Sequence, residues 1–419
     1  MALNSNLAMH LRLLSILLLA CSLPLSAQDQ FTLSGYVRDA ATGETLVGAT
    51  ITVADDPALG TTTNAYGFYS LRLPKGRYSL KYAYLGYDTE RKTMHLDRAV
   101  RLSVDLQESS IELDEVVVKA RPDDANVKST EMGTVGLKME KVKKIPALMG
   151  EVDVLKTIQL LPGVLSAGEG NAGFFVRGGG PDQNLVLLDE AVVYNPGHLL
   201  GFFSVFNADA IKNTTLIKGG MPANYGGRIS SVVDVQMKEG NNQHFAAEGG
   251  IGLVASRITL EGPIVQGRSS FIVSARRTYA LDLAQPFIEQ TSFAGTNYYF
   301  YDLNAKVNYQ FSDEDRLYFS AYFGRDVLQF RSNERGFAFD IPYGNATATL
   351  RWNHLFSDKL FMNVSAIYND YDFAFGGGQG GFEIDLQSGI RDWNGKLDFE
   401  YYPAPGHTLK FGLNYTYHR

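Results

Sequence analysis

The sequence predicts a mainly β protein with a small N-terminal β-sandwich, an α+β domain and strands of a transmembrane antiparallel β-barrel. Short strand-like runs at close spacing, separated by turn residues, fill residues 28–108, which is typical of a sandwich. Glycine clusters alternate with short strands between residues 174 and 235, where paired glycines permit tight turns. Apolar and polar residues then alternate in long runs, such as residues 303–311 and 409–417, as in barrel strands.

The composition excludes several classes of function. The 419 residues suffice for two or more domains, and a formal net charge of -7 provides no basic surface for nucleic acid. Cys21 is the one cysteine, so neither a disulfide framework nor a thiolate metal site is available. The chain has no His-Glu-x-x-His motif and no Gly-x-Ser-x-Gly elbow, and we predict no catalytic residue, no metal and no cofactor. Residues 168–173 fit the glycine pattern of dinucleotide sites, but a β-like run follows where that fold requires a helix.

Residues 1–27 are predicted to be a signal peptide. Arg12 precedes an apolar run over residues 13–20, and Ser26 and Ala27 provide a cleavage site. The apolar run is too short to span a bilayer, so we expect cleavage after Ala27 and export from the cytoplasm. Lipid attachment at Cys21 is the alternative.

Residues 109–122 form a polar linker that contains three consecutive valines. β-branched residues favour extended backbone, and Pro122 disfavours a position inside a sheet. An exposed strand of this kind can pair with the open sheet edge of a partner. A last sandwich strand that runs into a linker is the alternative. Farther on, residues 151–161 are predicted to form a short amphipathic helix that Pro162 and Gly163 terminate.

The glycine-rich region also carries a series of short motifs in a fixed order: Val176-Arg177-Gly178-Gly179, Leu187-Leu188-Asp189-Glu190, Asp209-Ala210-Ile211, Lys218-Gly219-Gly220 and Tyr225-Gly226-Gly227-Arg228. This order resembles the plug domain of TonB-dependent outer-membrane receptors of the Bacteroidetes type. In that family the plug closes a large barrel until an energised partner pulls on it, so we expect residues 123–240 to be a plug. Residues 28–108 resemble the carboxypeptidase regulatory-like domain, which precedes the plug in this group.

Residues 241–419 are predicted to be barrel. Short turns near residues 262–267, 312–315, 357–358 and 403–406 alternate with longer connections near residues 282–298, 326–340 and 376–385. We count about eight strands, although a soluble sheet with one wet face would alternate equally well. A barrel of about eight strands cannot hold a plug, whereas plugged transporters have about 22 strands. We therefore expect that roughly fourteen strands are missing and that the chain is truncated within its barrel.

The resemblance implies three groups of site residues. The TonB box, which binds the energy transducer, would be Leu113, Asp114, Glu115, Val116, Val117 and Val118. Plug cations that pair with barrel carboxylates would latch the plug, and by motif position these are Arg177 and Lys218, although lysine lacks the bidentate fork of arginine. The carboxylates would lie beyond Arg419, and a salt bridge within the plug is the alternative for Arg177. Substrate-facing plug loops would present Glu169, Asn171, Tyr194, His198, Phe202 and Phe203, with a plug-core or barrel-wall contact as the alternative for the last four.

The implied function is energised uptake of a scarce nutrient, such as an iron chelate, cobalamin, a glycan or a peptide, with no covalent chemistry. The implied partners are a TonB-type inner-membrane energy transducer, outer-membrane lipid, the nutrient and a surface lipoprotein lid. The sandwich and the plug would lie on the periplasmic side of the outer membrane. The alternative is an outer-membrane protein that binds or signals without transport.

Overall fold

The computed structural model describes residues 30–109, 133–145, 151–168 and 171–419, which form three units in sequence order. The predicted signal peptide, the predicted TonB box and Glu169 lie outside the described residues. Among the described helices, none combines the length and apolarity needed to cross a membrane.

The first unit is a sandwich of two four-stranded sheets. Its strands are β1 (Gln30–Asp39), β2 (Thr50–Val53), β3 (Asp56–Thr62), β4 (Phe68–Pro74), β5 (Gly76–Ala83), β6 (Glu90–Leu96), β7 (Val100–Arg101) and β8 (Val104–Leu106). One sheet has the order β4-β1-β7 with β8 also on β1, and the other has the order β3-β2-β5-β6. Apolar side chains from both sheets form the core, in which the buried hydroxyls of Tyr69 and Tyr82 lie 3.0 Å apart.

The second unit is an α+β domain, which we call the plug. Its elements are β9 (Thr134–Lys138), α1 (Met139–Val142), α2 (Val154–Gln159), β10 (Val164–Ser166), β11 (Phe174–Val176), β12 (Asn184–Leu188), β13 (Ala191–Val192), β14 (Gly197–His198), β15 (Phe203–Ser204), β16 (Ile211–Ile217) and β17 (Ser231–Met237). A mixed sheet of order β13-β12-β17-β16-β9 carries the core. Helix α2 is shorter than predicted, and it begins after Asp153, whose side chain accepts a hydrogen bond from the Lys156 amide at 3.0 Å.

The third unit is an antiparallel sheet of nine strands, in which each strand pairs with the next along the chain. The elements are β18 (Ala246–Ile251), β19 (Ala255–Val265), β20 (Ser269–Thr278), α3 (Ala280–Ile288), β21 (Asn297–Gln310), β22 (Asp315–Ser332), β23 (Phe337–Ser357), β24 (Leu360–Gln379), β25 (Phe382–Ala404) and β26 (His407–His418). The sequence-based count of about eight omitted β18, because the run Ala-Ala-Glu-Gly-Gly-Ile shows no alternation.

The two faces of this sheet distinguish a barrel wall from a soluble sheet. Lys306 and Asn308 are buried on one face, while Leu303 and Val307 on the other face are 45% and 37% exposed. The same inversion occurs across β22 to β24, where the buried face is polar and the exposed face carries side chains such as Phe319 and Leu350. A soluble sheet would expose its polar face to water, whereas a membrane barrel turns its apolar face to lipid. The soluble alternative is therefore wrong for this sheet.

Two of the predicted long connections are strand rather than loop. Strand β22 runs to Ser332 and β23 begins at Phe337, and the ladder continues up to this pair. Strands β24 and β25 likewise pair as far as Gln379 and Phe382. Strand β25 has 23 residues, whereas about 10 suffice to cross the bilayer, so these hairpins extend beyond it. These extensions were not predicted from the sequence, because apolar and polar residues do not alternate in a strand whose two faces are both in water.

Candidate functional site

The plug lies against the polar face of the barrel sheet, and charged side chains from both sides are buried between them. Tyr322 of β22 belongs to the plug's own apolar cluster, so the two units share a core at this point. Around it, ion pairs join the plug to successive barrel strands. A buried charge is tolerated only where partners compensate for lost hydration, so these pairs define the contact.

His198 is the centre of the first group of contacts. Its Nε2 atom lies 2.7 Å from Oδ1 of Asp302 on β21, and its Nδ1 atom lies 2.6 Å from Oδ2 of Asp326 on β22. The ring stacks on Phe300, with centroids 4.0 Å apart and an interplanar angle of 5°. Tyr322 donates its hydroxyl to Asp302 at 2.9 Å. One side chain of the plug therefore connects two adjacent barrel strands.

Arg276 on β20 extends this group. Its Nε atom donates to Oδ2 of Asp302 at 2.8 Å, and its Nη2 atom donates to the backbone carbonyl of Ser204 in the plug at 2.9 Å. Its Nη1 atom lies 3.6 Å from Glu151 of the plug. Asp302 is thus held between one cation of the plug and one cation of the barrel.

A second contact involves the Leu-Leu-Asp-Glu motif, which begins at the end of β12 and continues into the turn after it. Oδ2 of Asp189 lies 2.9 Å from Nζ of Lys306 on β21, and both side chains are 3% exposed. Asp189 and Glu190 have φ angles of 45° and 75°, so the turn directs consecutive carboxylates toward the barrel. Positive φ is uncommon for residues other than glycine, and asparagine and aspartate tolerate it best. The strained turn serves to place these two charges.

Most ion pairs between plug and barrel in the described residues have the opposite polarity to the predicted latch. The plug supplies the carboxylate and the barrel supplies the cation in five pairs: Asp189 with Lys306 at 2.9 Å, Asp209 with Arg257 at 2.6 Å, Glu151 with Arg257 at 3.8 Å, Glu151 with Arg276 at 3.6 Å, and Glu239 with Arg316 at 3.7 Å. The predicted polarity occurs in three pairs: His198 with Asp302, His198 with Asp326, and Lys143 with Glu248. Burial alone raises the pKa of Glu239, but Lys212 and Arg316 outweigh burial and lower that pKa to about 2.

Neither of the two predicted latch residues belongs to a plug–barrel ion pair of the described residues. Lys218 is buried and donates from Nζ to the backbone carbonyl of Pro162 at 2.7 Å, which is a contact within the plug. Arg177 is exposed at a φ of 48°, and it forms no ion pair with any carboxylate of the described chain. Arg177 stays a prediction for strands beyond those described.

The predicted substrate-facing residues divide into two sets. Asn171 is half-buried and accepts a hydrogen bond from the Gly173 amide at 2.7 Å, and Phe202 is half-buried with Nζ of Lys156 4.6 Å from its ring centroid. His198 and Phe203 are buried, and the Tyr194 hydroxyl donates to Asp392 on β25. These last three residues make the barrel-wall contact that the sequence left open as an alternative, and His198 and Phe203 present no exposed surface.

Four charged barrel residues of this site were not predicted from the sequence: Asp302, Asp326, Arg276 and Lys306. The available signal was a charged residue at an inward position of an alternating strand, which requires a partner once the strand is recognised. Within the described ranges, no three or more His, Cys, Asp or Glu side chains form a group that could hold a metal.

Family comparisons agree with this arrangement. The chain matches the CarboxypepD_reg-like domain over residues 33–118 and the TonB-dependent Receptor Plug Domain over residues 141–233. The first match includes residues 113–118, so the sandwich-strand alternative for the predicted TonB box stays open. No curated protein matches the sequence.

Solved structures share the fold. The siderophore receptor PirA from Acinetobacter baumannii is similar with a TM-score of 0.50 and 16% identity, over 68% of this chain and 48% of that chain. The outer membrane transporter YddB from Escherichia coli is similar with a TM-score of 0.53 and 10% identity, over 68% and 48%. The chain thus spans about half the length of these structures. The chain therefore contains a CarboxypepD_reg-like domain and a TonB-dependent receptor plug domain, and it shares its fold with the outer-membrane receptors and transporters to which it is similar.

Proposed function

We propose that this protein imports a scarce nutrient across the outer membrane by energised displacement of its plug. The charged plug–barrel contact is the observation that supports this function. An apolar interface would expose hydrophobic surface to water whenever the plug moved, whereas separated charges regain hydration. Pairs such as His198 with Asp302 and Asp189 with Lys306 can therefore hold a closed state and still permit opening.

The transducer would act from the side of the short turns. Short barrel turns face the periplasm in outer-membrane barrels, and the sandwich packs beside the turn at Asp358. The segment from Leu113 to Val118 would bind a TonB-type protein by adding a strand to its sheet. The nutrient would enter from the opposite end, where the long hairpins project and a surface lipoprotein lid would sit. Iron chelates, cobalamin, glycans and peptides are the candidate classes, and Asn171 and Phe202 are the candidate contacts in the plug.

The decisive experiment changes the backbone of the predicted TonB box. Val117→Pro removes an amide donor and blocks strand addition, while Val117→Thr keeps the donor and the β-branched shape. Cells that carry each variant receive radiolabelled ferric siderophores, cobalamin, oligosaccharides or peptides. We expect Val117→Pro to abolish energy-dependent uptake and to retain surface binding, with Val117→Thr near wild type. Equal energy-dependent uptake by both variants would contradict the role of residues 113–118, and surface binding without energy-dependent uptake in the wild type would favour a protein that only binds.

A further inference from the structure

We propose that the N-terminal sandwich is a clamp that holds the plug closed from the short-turn end of the barrel. This role rests on the proposed transport function. The sandwich contacts the barrel and the plug at the same time, through an aromatic seam, a set of polar contacts at the barrel turns, and hydrogen bonds to the plug.

The aromatic seam joins the sandwich to the barrel mouth. Phe68 of the sandwich stacks on Phe361 of β24 with ring centroids 5.6 Å apart, and Tyr66 stacks on the same ring at 5.2 Å. Phe68 and Phe361 are 0% and 1% exposed. Leu355 and Tyr402 complete the cluster beside the neighbouring turns. Buried aromatic rings dominate interface energetics, so this contact resembles a permanent interface more than an encounter.

Polar contacts at the barrel turns fix the orientation of the sandwich. Asp358, in the turn between β23 and β24, accepts a hydrogen bond from the Ser34 hydroxyl at 2.9 Å and pairs with Arg101 at 3.2 Å. Arg101 also pairs with Glu314 in the turn before β22. Ser70 donates its hydroxyl to the backbone carbonyl of Asp358 at 2.7 Å. Two short turns of the barrel are thus tied to one face of the sandwich.

The sandwich also forms hydrogen bonds to the plug at two points. The Tyr66 hydroxyl donates to Oε1 of Glu190 at 2.9 Å, and Asn363 of β24 donates to the same oxygen at 3.2 Å. Sandwich, plug and barrel therefore meet at one carboxylate. At a second point, the Thr45 hydroxyl donates to Oε1 of Glu239 at 2.9 Å.

These two plug carboxylates lie at the ends of the central strands of the plug. Glu190 follows β12 and Glu239 follows β17, which are neighbours in the plug sheet. A plug that unfolds or leaves through the short-turn mouth must break the bonds to Tyr66 and Thr45. The linker from sandwich to plug carries the predicted TonB box, so tension on it acts on the sandwich and the plug together.

The test measures spontaneous opening of the plug without an energy source. Ala210→Cys places a thiol at a plug position that is 0% exposed, and the one native cysteine lies in the predicted leader. Outer membranes that contain the protein are treated with a small maleimide dye, and the labelling rate of this thiol is recorded. Tyr66→Phe removes the bond to Glu190 and keeps the ring in the seam. Asp358→Arg places a second cation beside Arg101.

We expect Tyr66→Phe to raise the labelling rate about fivefold, which corresponds to the loss of one ordinary hydrogen bond, and Asp358→Arg to raise it at least as much because it removes an ion pair and the bond from Ser34. Asp370→Arg is the matched control, because it breaks an Asp–Arg pair with Arg391 elsewhere on the barrel. The control is expected to label at the wild-type rate. Unchanged labelling in both clamp variants, or an equal rise in the control, would overturn the clamp. The labelling reaction needs no transducer. A failure of the clamp proposal in this experiment is therefore distinguishable from a failure of the transport proposal in the Val117→Pro experiment.

Discussion

The imidazole of His198 in the plug lies between two barrel carboxylates, with Asp302 at 2.7 Å from Nε2 and Asp326 at 2.6 Å from Nδ1. Arg276 and Glu151 face the same cluster, and Phe300 covers one face of the ring. A single titratable side chain thus joins the plug to two strands of the barrel.

The stability of this contact is expected to fall at alkaline pH. Burial alone lowers the pKa of His198, but Asp302 and Asp326 outweigh burial and raise that pKa to about 9. Since the unfolded value is about 6.5, the stabilisation is complete below about pH 6.5 and is lost as the pH rises through about 9. The urea midpoint of unfolding, measured from about pH 6 to 10, should decrease across this window in wild type and much less in His198→Gln. Parallel curves for the two proteins would contradict the assignment.

Asp302→Asn is expected to destabilise the protein severely. The substitution leaves His198 and Arg276 without the charge that compensates both, and loss of one member of a buried ion pair costs about 3–5 kcal/mol. Asp340→Asn is the matched control, because it breaks an ion pair with Arg331 at 3.0 Å on the exposed part of a hairpin. Exposed pairs contribute about 0–1 kcal/mol. Urea unfolding of both variants checks the difference, and equal losses would refute the role of burial.

Lys306→Met is expected to cost about 3 kcal/mol because Asp189 then becomes an unpaired buried charge. Adding Asp189→Asn should restore much of that loss, since the amide is neutral and asparagine tolerates the φ of 45°. A double-mutant cycle on unfolding free energies measures the coupling, which we expect to exceed about 1 kcal/mol. Additive losses would show that the two side chains act independently.

Gly240, where the plug chain enters the barrel, is expected to reject any side chain. Its φ is +83°, and an added Cβ would lie 2.3 Å from the carbonyl oxygen of Phe271. Gly406→Ala is the control, because that glycine has a φ of +67° and open space around it. The control should lose about 1–2 kcal/mol from backbone strain alone. Gly240→Ala should lose clearly more in thermal unfolding, and a similar loss in both variants would exclude the predicted clash.

Local patterns in the sequence predicted the strands and helices that are specified by neighbouring residues. The alternation over residues 409–417 lies within β26, and helix α2 lies inside the predicted segment 151–161. Strand β18 and the extended hairpins were missed because a glycine-rich or doubly solvated strand has no alternation to detect. The contact of the Lys218 ammonium with Pro162 of the same domain was not foreseen, because a motif position does not determine where a long side chain reaches, and the latch role of Lys218 stays a prediction.

By itself the sequence determined the order of sandwich, plug and barrel strands, because turn residues and side-chain periods of two are properties of neighbouring residues. Only the tertiary structure decided the contacts. His198 and Asp302 are 104 residues apart, and Tyr66 and Glu190 are 124 residues apart. Which inward position meets which plug loop depends on the register and curvature of the whole sheet. The reversed polarity of most plug–barrel ion pairs and the docked sandwich therefore became visible only once the strands were assembled.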